Sequence, residues 1–271
     1  MNHSKSKSFG FLSSLIRFSG EITLDSDIVL EDSDIKHFDD GIYILKSDIT
    51  LDGNGHTIDC RNKARVFYNI GQNITIKNLT FKNGNTTKKE GTYSQRRYGG
   101  AIYNLGEITF ENCKFYDNQS HSFGGAITNQ DESILRLSGC EFINNRSHEA
   151  GAIFNKSILE IDKCLFKSNS AVGYGGAITN EGFLKVNNSI FCENNCGESG
   201  GAINNYIALL ESKNSKFIKN TSIYRGGSIN SFSGFLKLKN LKFIENKSAR
   251  NGEDNLRNIG RNIKAMNCEF R

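Results

Sequence analysis

Apolar and polar residues alternate along most of the chain in short runs. In segments such as 135–137 (Leu-Arg-Leu) and 184–186 (Leu-Lys-Val), every second residue is apolar. This period of two predicts β-strands, because successive side chains of a strand point to opposite faces. The stretches between these runs are rich in Gly and Asn, which favour turns.

Two short motifs recur in step with this alternation. A GGAI tetrapeptide or a close variant begins at residues 99, 124, 150, 175, 200 and 226, so the period is 25 or 26 residues. No segment within this unit carries a helical stripe long enough for a helical or leucine-rich repeat. Short strands joined by Gly and Asn turns predict one coil of a parallel β-helix per unit. The second motif, Phe-x-x-Asn, begins at Phe115, Phe142, Phe166, Phe191, Phe217 and Phe243.

A column of charged residues supports the stacking of these coils. The residue six positions before each motif Phe lies between two apolar positions, so it is expected to face solvent. Its charge alternates in sign from coil to coil, as favourable cross-strand pairs require. The column reads Arg136, Glu160, Lys185, Glu211 and Lys237.

The paired motifs carry a family resemblance. GGAI alternating with FxxN resembles the repeat of polymorphic outer membrane proteins and of related adhesin-like proteins from methanogens. The segment 49–58, ITLDGNGHTI, resembles the first coil of pectate-lyase-like right-handed β-helices. The resemblance covers about residues 40–270 and implies an all-β, right-handed, single-stranded parallel β-helix of the pectin-lyase-like type. It also implies a secreted or surface-displayed protein that mediates adhesion.

The 271 residues therefore divide into a short N-terminal segment and one elongated domain. Residues 1–20 are interpreted as an N-terminal cap or a degenerate signal segment. Phe9, Leu12, Leu15 and Ile16 have helical spacing, which favours a short amphipathic capping helix. Residues 21–271 form the β-helix domain of about eight coils, with the GGAI and FxxN repeats at about 99–250.

Composition and charge limit the kinds of partner that the sequence predicts. A net charge of +5 does not indicate a dedicated nucleic-acid binder, and no run of 18 apolar residues predicts a transmembrane helix. The two ends differ in charge: residues 21–60 carry a net −9 and residues 235–271 a net +5. The sequence thus predicts a monomer or a weak head-to-tail association.

The repeated Asn and Cys residues have a structural interpretation. Asn at the ends of the motifs can form ladders of stacked amides, as at Asn129 and Asn145. Of seven cysteines, four share one column that Ser and Leu occupy in other coils, which predicts small interior positions: Cys113, Cys140, Cys164 and Cys268. A Cys192–Cys196 pair is left open.

No catalytic, metal-binding or cofactor-binding residues are assigned. No column holds two or three consecutive acids, as paired-carboxylate or Ca²⁺-dependent chemistry on polysaccharides requires. The strongest catalytic remnant is the group of Asp52, His56 and Asp59 near the first coils, and its alternative is a set of solvated surface residues. His121 and His148 occupy equivalent turns without a convergent acid.

The best candidate for a binding surface is an insertion. The insertion lies between Phe81 and Gly99, before the first GGAI motif. In later coils four or five residues separate FxxN from GGAI, whereas the corresponding gap before Gly99 runs from Asn85 to Tyr98. Basic side chains interleaved with tyrosines suit anionic glycans or an acidic protein surface, and a solvated loop is the alternative. The candidate binding residues are Lys88, Lys89, Tyr93, Arg96, Arg97 and Tyr98.

Three hypotheses of function follow. The first is a non-enzymatic, adhesin-like surface or extracellular scaffold that binds glycans or a host or cell-surface protein. The second is a carbohydrate-active enzyme of the pectin-lyase fold, a lyase or a hydrolase. The third is an inert structural fragment of a longer passenger protein.

Overall fold

The chain winds into a parallel β-solenoid of about nine coils, slightly more than the eight expected. The computed structural model describes residues 6–87, 95–250, 255–260 and 262–271. Within these ranges, all strand pairs are parallel and link each coil to the next. Each coil contributes a strand to three long sheets, and five coils add a strand to a short fourth sheet.

Two long sheets form consecutive sides of the coil. The alternating sheet carries the charged column, and its strands are Glu21–Thr23, Ile49–Asp52, Ile74–Lys77, Glu107–Glu111, Ile134–Ser138, Ile158–Asp162, Phe183–Asn187, Leu209–Lys213, Phe235–Lys239 and Ile263–Met266. The phenylalanine sheet comprises Lys7–Ser8, Ile28–Val29, Thr57–Asp59, Thr80–Lys82, Lys114–Tyr116, Glu141–Ile143, Leu165–Lys167, Ile190–Cys192, Lys216–Ile218, Lys242–Ile244 and Glu269–Phe270.

The third long sheet follows the GGAI turns, and the short sheet precedes them. The asparagine sheet comprises Ile42–Ile44, Phe67–Asn69, Ile102–Asn104, Ile127–Asn129, Ile153–Asn155, Ile178–Asn180, Ile203–Tyr206, Ile229–Phe232 and Leu256–Ile259. The minor sheet comprises Arg146–Ser147, Ser170–Ala171, Asn195–Cys196, Thr221–Ser222 and Lys247–Ser248. Helical segments are Phe9–Phe18, Ile35–Phe38 and the 3₁₀ turn Gln95–Arg97.

The N-terminal helix, Phe9–Phe18, covers the first coil as predicted. Its N-cap Ser8 accepts a hydrogen bond from the amide of Phe11 at 3.4 Å. Phe9, Leu12 and Ile16 are buried against the core, so the apolar stripe covers coil residues that have no preceding coil to contact. The amphipathic helix that the spacing predicts is therefore present.

The motif phenylalanines form a continuous stack inside the coil. The rings of Phe142 and Phe166 lie 4.8 Å apart with their planes within 4°. The same stacking runs from Phe81 to Phe270 through every motif Phe, and from Phe81 to Phe217 these side chains are fully buried. Each stacked pair adds about 0.5–1.5 kcal/mol beyond the area that it buries.

Two buried ladders of asparagine amides join the coils at their turns. One extends from Asn69 to Asn205, with each Nδ2 donating to the next Oδ1 at 2.7–2.8 Å. The other extends from Asn118 to Asn246, and there the backbone N–H donates to the same Oδ1 as well. The predicted ladders are confirmed, and they satisfy polar groups that the interior would otherwise leave without partners.

The glycine pairs allow the coils to approach closely before the asparagine sheet. The first glycine has a positive φ, as in Gly124 at 61°. A Cβ on the second glycine would collide with the next coil, since at Gly125 it would lie 2.1 Å from the carbonyl oxygen of Gly151. Ala150 replaces the first glycine in one coil and adopts the same conformation, with φ of 62°.

The charged column and the cysteines lie where the sequence predicts. Arg136 pairs with Glu160 at 3.3 Å, and Lys185 reaches the same carboxylate at 3.5 Å. All seven cysteines are free thiols, so the optional Cys192–Cys196 pair does not form. Cys196 is buried in register with Ala171 and Ser222, consistent with a small interior position.

Breaking one ladder position should destabilise the fold. Replacing Asn169 with Leu removes the acceptor of both the backbone N–H and the Nδ2 of Asn145, at 3.0 and 2.9 Å. Because each orphaned buried donor costs about 1–3 kcal/mol, we expect Asn169→Leu to lower the free energy of unfolding in urea by at least about 2 kcal/mol. The exposed Asn195→Thr, a control, should change it by less than about 0.5 kcal/mol; equal losses would contradict the ladder's role.

The Ala150 turn gives the opposite prediction. An L-residue in the left-handed region costs about 1–2 kcal/mol, so Ala150→Gly should raise the free energy of unfolding by about 1 kcal/mol. Ala152→Gly, two residues later in an ordinary conformation, should lower it by about 0.5–1 kcal/mol. Urea denaturation of the two variants measures both effects, and a loss in Ala150→Gly would refute the strain argument.

Candidate functional site

The outer face of the asparagine sheet is recessed. The middle residue of each strand lies between an inward Ile and an inward ladder Asn, so alternation directs it away from the core. In the six strands from Ile102–Asn104 to Ile229–Phe232, these outward residues are nonetheless buried, with exposures from 0% to 7%. They form the floor of a groove and comprise Tyr103, Thr128, Phe154, Thr179, Asn204 and Asn230.

Residues at the two ends of each strand form the rims of this groove. One rim is the residue immediately before each GGAI turn, and the other is the residue immediately after each ladder Asn or its equivalent. Because equivalent residues of successive coils are in register, the rims run parallel to the coil axis, and we call the feature the axial groove. The first rim is Tyr98, Phe123, Glu149, Tyr174, Ser199 and Arg225; the second is Leu105, Gln130, Lys156, Glu181, Tyr206 and Phe232.

Aromatic rings extend the floor column of the axial groove toward the N-terminus. Tyr43 stacks on Tyr68 at 4.7 Å between ring centroids, and Tyr68 contacts Tyr103 at 5.0 Å. Tyr98 continues the run, since its ring lies 5.0 Å from that of Phe123. An extended aromatic surface of this kind suits the apolar faces of flat or ring-shaped ligand groups.

A fully buried arginine supports the tyrosine floor. The guanidinium of Arg65 lies 5.3 Å from the ring centroid of Tyr103 and 5.9 Å from that of Tyr68. Burial lowers the pKa of Arg65 to about 10, while the nearby charge of Asp40 favours the charged form. The arginine therefore stays protonated at neutral pH and holds the rings by cation–π contact.

The C-terminal half of the axial groove widens into a cavity of about 400 Å³. The rings of Tyr206 and Phe232 stack 5.5 Å apart on one rim. On the floor, Asn230 Nδ2 donates to Asn204 Oδ1 at 2.8 Å. Among the described residues, no group accepts from Asn204 Nδ2 or donates to Asn230 Oδ1, so both remain available to a ligand.

Two carboxylates face the same cavity. Burial raises the pKa of Glu149, and the charge of Glu181 adds to the rise while His148 opposes it. Partial desolvation also raises the pKa of Glu181, with Asp131 adding to the rise and Lys156 opposing it. Arg225, on the Glu149 rim, supplies a positive charge to the cavity.

Comparison with known sequences identifies the family. The family described as "Right handed beta helix region" matches residues 21–191, which is more than half of the chain. The chain belongs to the right-handed β-helix family. The match confirms the predicted handedness and the β-helix part of the resemblance. Membership of the polymorphic outer membrane protein family is not shown by this match.

Solved structures that align with this β-helix protein over most of its length share little sequence identity with it. An SRRP of L. reuteri 53608 aligns with 13% identity and a TM-score of 0.43, covering 98% of this chain and 99% of that one. The alginate lyase AlyF-OU02, in a complex with G6, aligns with 13% identity and a TM-score of 0.41, covering 96% of this chain and 62% of that one. No curated protein matches the sequence significantly.

Half of the predicted binding loop can be placed in this β-helix. Lys88, Lys89 and Tyr93 lie outside the described residues. Arg96 docks on the first coil, where its Nε donates to Asp40 at 2.8 Å and its Nη2 contacts Asp39. The backbone of Arg97 accepts from the Ser122 amide at 3.3 Å, and Tyr98 belongs to the groove rim. Ligand binding by this loop stays a prediction.

The other sequence candidates do not converge. Asp52 accepts hydrogen bonds from the Asn54 amide at 2.9 Å and from Asn78 Nδ2 at 3.1 Å, so it stabilises a turn. Asp59 lies on a different sheet, and His56 Nδ1 lies 3.3 Å from Asp27. Among the described ranges, no group of three or more His, Cys, Asp or Glu is placed to hold a metal ion. No helix there is long and apolar enough to span a membrane.

The cavity could not be recognised from columns of like residues. Glu149 and Glu181 lie in different columns, one before a GGAI turn and one after a ladder Asn. The signal in the sequence was the aromatic character of these two columns, as in Tyr174 before one turn and Tyr206 and Phe232 after two strands.

The raised pKa of Glu149 predicts a stability effect. At neutral pH the folded protein holds an unfavourable carboxylate there, so Glu149→Gln should raise the Tm at pH 7 by about 1–3 °C. The gain should shrink as the pH falls from the raised pKa through the ordinary value of 4.5, because the wild-type side chain is then protonated in both states. Calorimetry at pH 7 and at pH 4 measures the gain in Tm. The control, Glu245→Gln at an exposed pair with Lys219, should show no gain at either pH. A gain for Glu149→Gln at pH 4 as large as at pH 7 would contradict the burial argument.

Proposed function

We propose that the axial groove binds an extended glycan chain lying parallel to the coil axis. The observation that carries this proposal is the cavity in which the stacked rings of Tyr206 and Phe232 lie beside the buried amides of Asn204 and Asn230. Sugar rings present apolar C–H faces and a perimeter of hydroxyl groups. Aromatic rings cover the faces, and fixed amides exchange hydrogen bonds with the hydroxyls.

The repeat of the solenoid supports a polymeric ligand. Successive coils are separated by about 4.8 Å, which is close to the length that one pyranose adds to an extended glycan. Floor and rim residues therefore recur at about the spacing of the sugars, and the cavity is lined by several coils, from Glu149 to Phe232. A ligand of several sugars could gain contacts from several coils at once.

The biological setting that we propose is adhesion outside the cell. Its support is the GGAI and FxxN repeat, which resembles the repeats of surface-displayed adhesin-like proteins. A rigid rod with a binding groove along its length suits such a role, because contacts along a rod add without new folding. The ligand is then a glycan of a cell surface or of the surrounding matrix.

A glycan array followed by calorimetry tests the groove. We expect the wild-type protein to bind oligosaccharides, and Tyr206→Ala to weaken binding about tenfold, the effect of losing about 1.4 kcal/mol of contact energy. Asn204→Leu should weaken binding similarly, because the leucine cannot exchange hydrogen bonds with a hydroxyl group.

The matched control is Phe235→Ala, since Phe235 is 59% exposed on the alternating sheet, outside the groove. Its affinity should equal that of the wild type. Binding that Tyr206→Ala leaves intact and Arg97→Ala abolishes would move the site to the loop and refute the groove. A blank array for the wild-type protein would also refute it.

A further inference from the structure

The outer side of the alternating sheet carries three columns of exposed or half-buried side chains. In six successive coils its strands are five residues long, from Glu107–Glu111 to Phe235–Lys239. The first, third and fifth residues of each strand point outward, because successive side chains of a strand alternate. Equivalent residues of successive coils are in register, so each column runs parallel to the coil axis. We call the outer side of this sheet the columnar face.

The first column of the columnar face is apolar through five successive coils. Ile158 is 39% exposed and Phe235 is 59% exposed, and the other three members are half-buried. The column reads Ile134, Ile158, Phe183, Leu209 and Phe235. A contiguous apolar stripe on a surface marks an interaction site, whereas scattered apolar residues do not.

Charge on the columnar face changes sign between its two halves. As far as the strand Ile158–Asp162, the outward charged residues are mostly acids: Glu21, Asp52, Glu107, Glu111, Glu160 and Asp162, with Lys77 and Arg136. From the strand Phe183–Asn187 onward they are mostly lysines: Lys185, Lys213, Lys237, Lys239 and Lys264, with Glu211. The face therefore has an acidic half and a basic half, which makes it complementary to itself in charge.

We propose that the columnar face binds a second copy of the chain, with the two rods side by side and antiparallel. A two-fold axis between the strands Ile158–Asp162 and Phe183–Asn187 reverses the order of the coils and places each column opposite itself. The apolar column then meets its equivalent, with Ile158 opposite Phe183 of the second copy. The acidic half meets the basic half, because the two halves lie on opposite sides of the axis.

Residues at equal distances from this axis carry opposite charges. The facing pairs, written with the residue of the second copy last, are Glu160 with Lys185, Arg136 with Glu211 and Glu111 with Lys239. In the part of the chain that the structure describes, Glu111 and Lys239 have no ion pair, while Lys237 beside them pairs with Glu211 at 2.6 Å. The contact between copies thus supplies Glu111 and Lys239 with a partner.

Two features favour a second copy as the occupant of this face. Its coils have the same spacing of about 4.8 Å, so the facing columns stay in step over several coils. The strands that overlap about the axis cover roughly 600 Å² on each copy, or about 1,200 Å² in total, which is the lower limit of a specific interface. We therefore expect a reversible dimer. Since both signs of charge lie on one face, the rods associate side by side rather than head to tail.

Sedimentation equilibrium of the full chain measures the association, and small-angle X-ray scattering measures its shape. We expect a concentration-dependent dimer whose maximum dimension exceeds that of the monomer only slightly. Lys239→Glu places like charges at both symmetric contacts with Glu111, so it should weaken the dimer at least about tenfold. The double variant Glu111→Lys/Lys239→Glu restores opposite charges in exchanged positions, and its affinity should lie within about threefold of the wild-type value.

The matched control is Lys247→Glu, which makes the same change in net charge at an exposed position of the minor sheet and should dimerise as the wild type does. A protein that stays monomeric overturns the proposal, and so does a dimer that Lys239→Glu leaves intact or that the double variant fails to restore. A dimer about twice as long as the monomer would be head to tail and also overturns it. So does a monomer whose lysines bind a sulfated polysaccharide instead. The axial groove lies on a different sheet, so none of these outcomes bears on the proposed glycan binding.

Discussion

The structure depends on one constraint: each coil must satisfy its backbone and its turns with the groups of the next coil. Parallel pairing supplies the strands, and the two asparagine ladders supply the turns. Because an amide ladder requires the same residue at the same height in every coil, it fixes the register of the whole rod. The phenylalanine stack then follows from that register, since identical rings at one height meet face to face.

The axial groove is a consequence of the same geometry. The glycine pair turns the chain sharply just before the asparagine sheet, and this turn raises the preceding residue beside the outward side chain of the strand. The floor is thus enclosed without belonging to the core. Its residues can change from Tyr103 to Thr128 to Asn204 along the rod while the inward Ile and Asn columns stay constant. The scaffold therefore separates the residues that hold the fold from those that define a ligand surface.

The fold could be predicted from the sequence because each motif residue recurs in the same environment in several coils. The ladders, the charged column and the interior cysteines could all be assigned from columns alone, and the N-terminal helix from the spacing of its apolar residues. The site could not be found in this way, because Asn204, Glu149 and Glu181 occur in different columns, none of which keeps one residue type along the chain. Only the turn geometry shows that a residue before the glycines and a residue after the ladder Asn face one cavity. The inserted loop attracted attention through its charge, yet Arg96 uses that charge to bind Asp39 and Asp40 of the first coils.

The two carboxylates of the cavity lower the stability of the folded protein at neutral pH, and the rest of the solenoid supplies enough stability to keep the protein folded. Raised carboxyl pKa values at Glu149 and Glu181 mean that both acids oppose folding at neutral pH. On the alternating sheet, by contrast, the acids pair with bases, as Glu160 pairs with Arg136 and Lys185. Two acids that oppose folding at neutral pH, set beside the stacked rings of Tyr206 and Phe232 in one cavity, mark that place as a surface that stability alone does not explain.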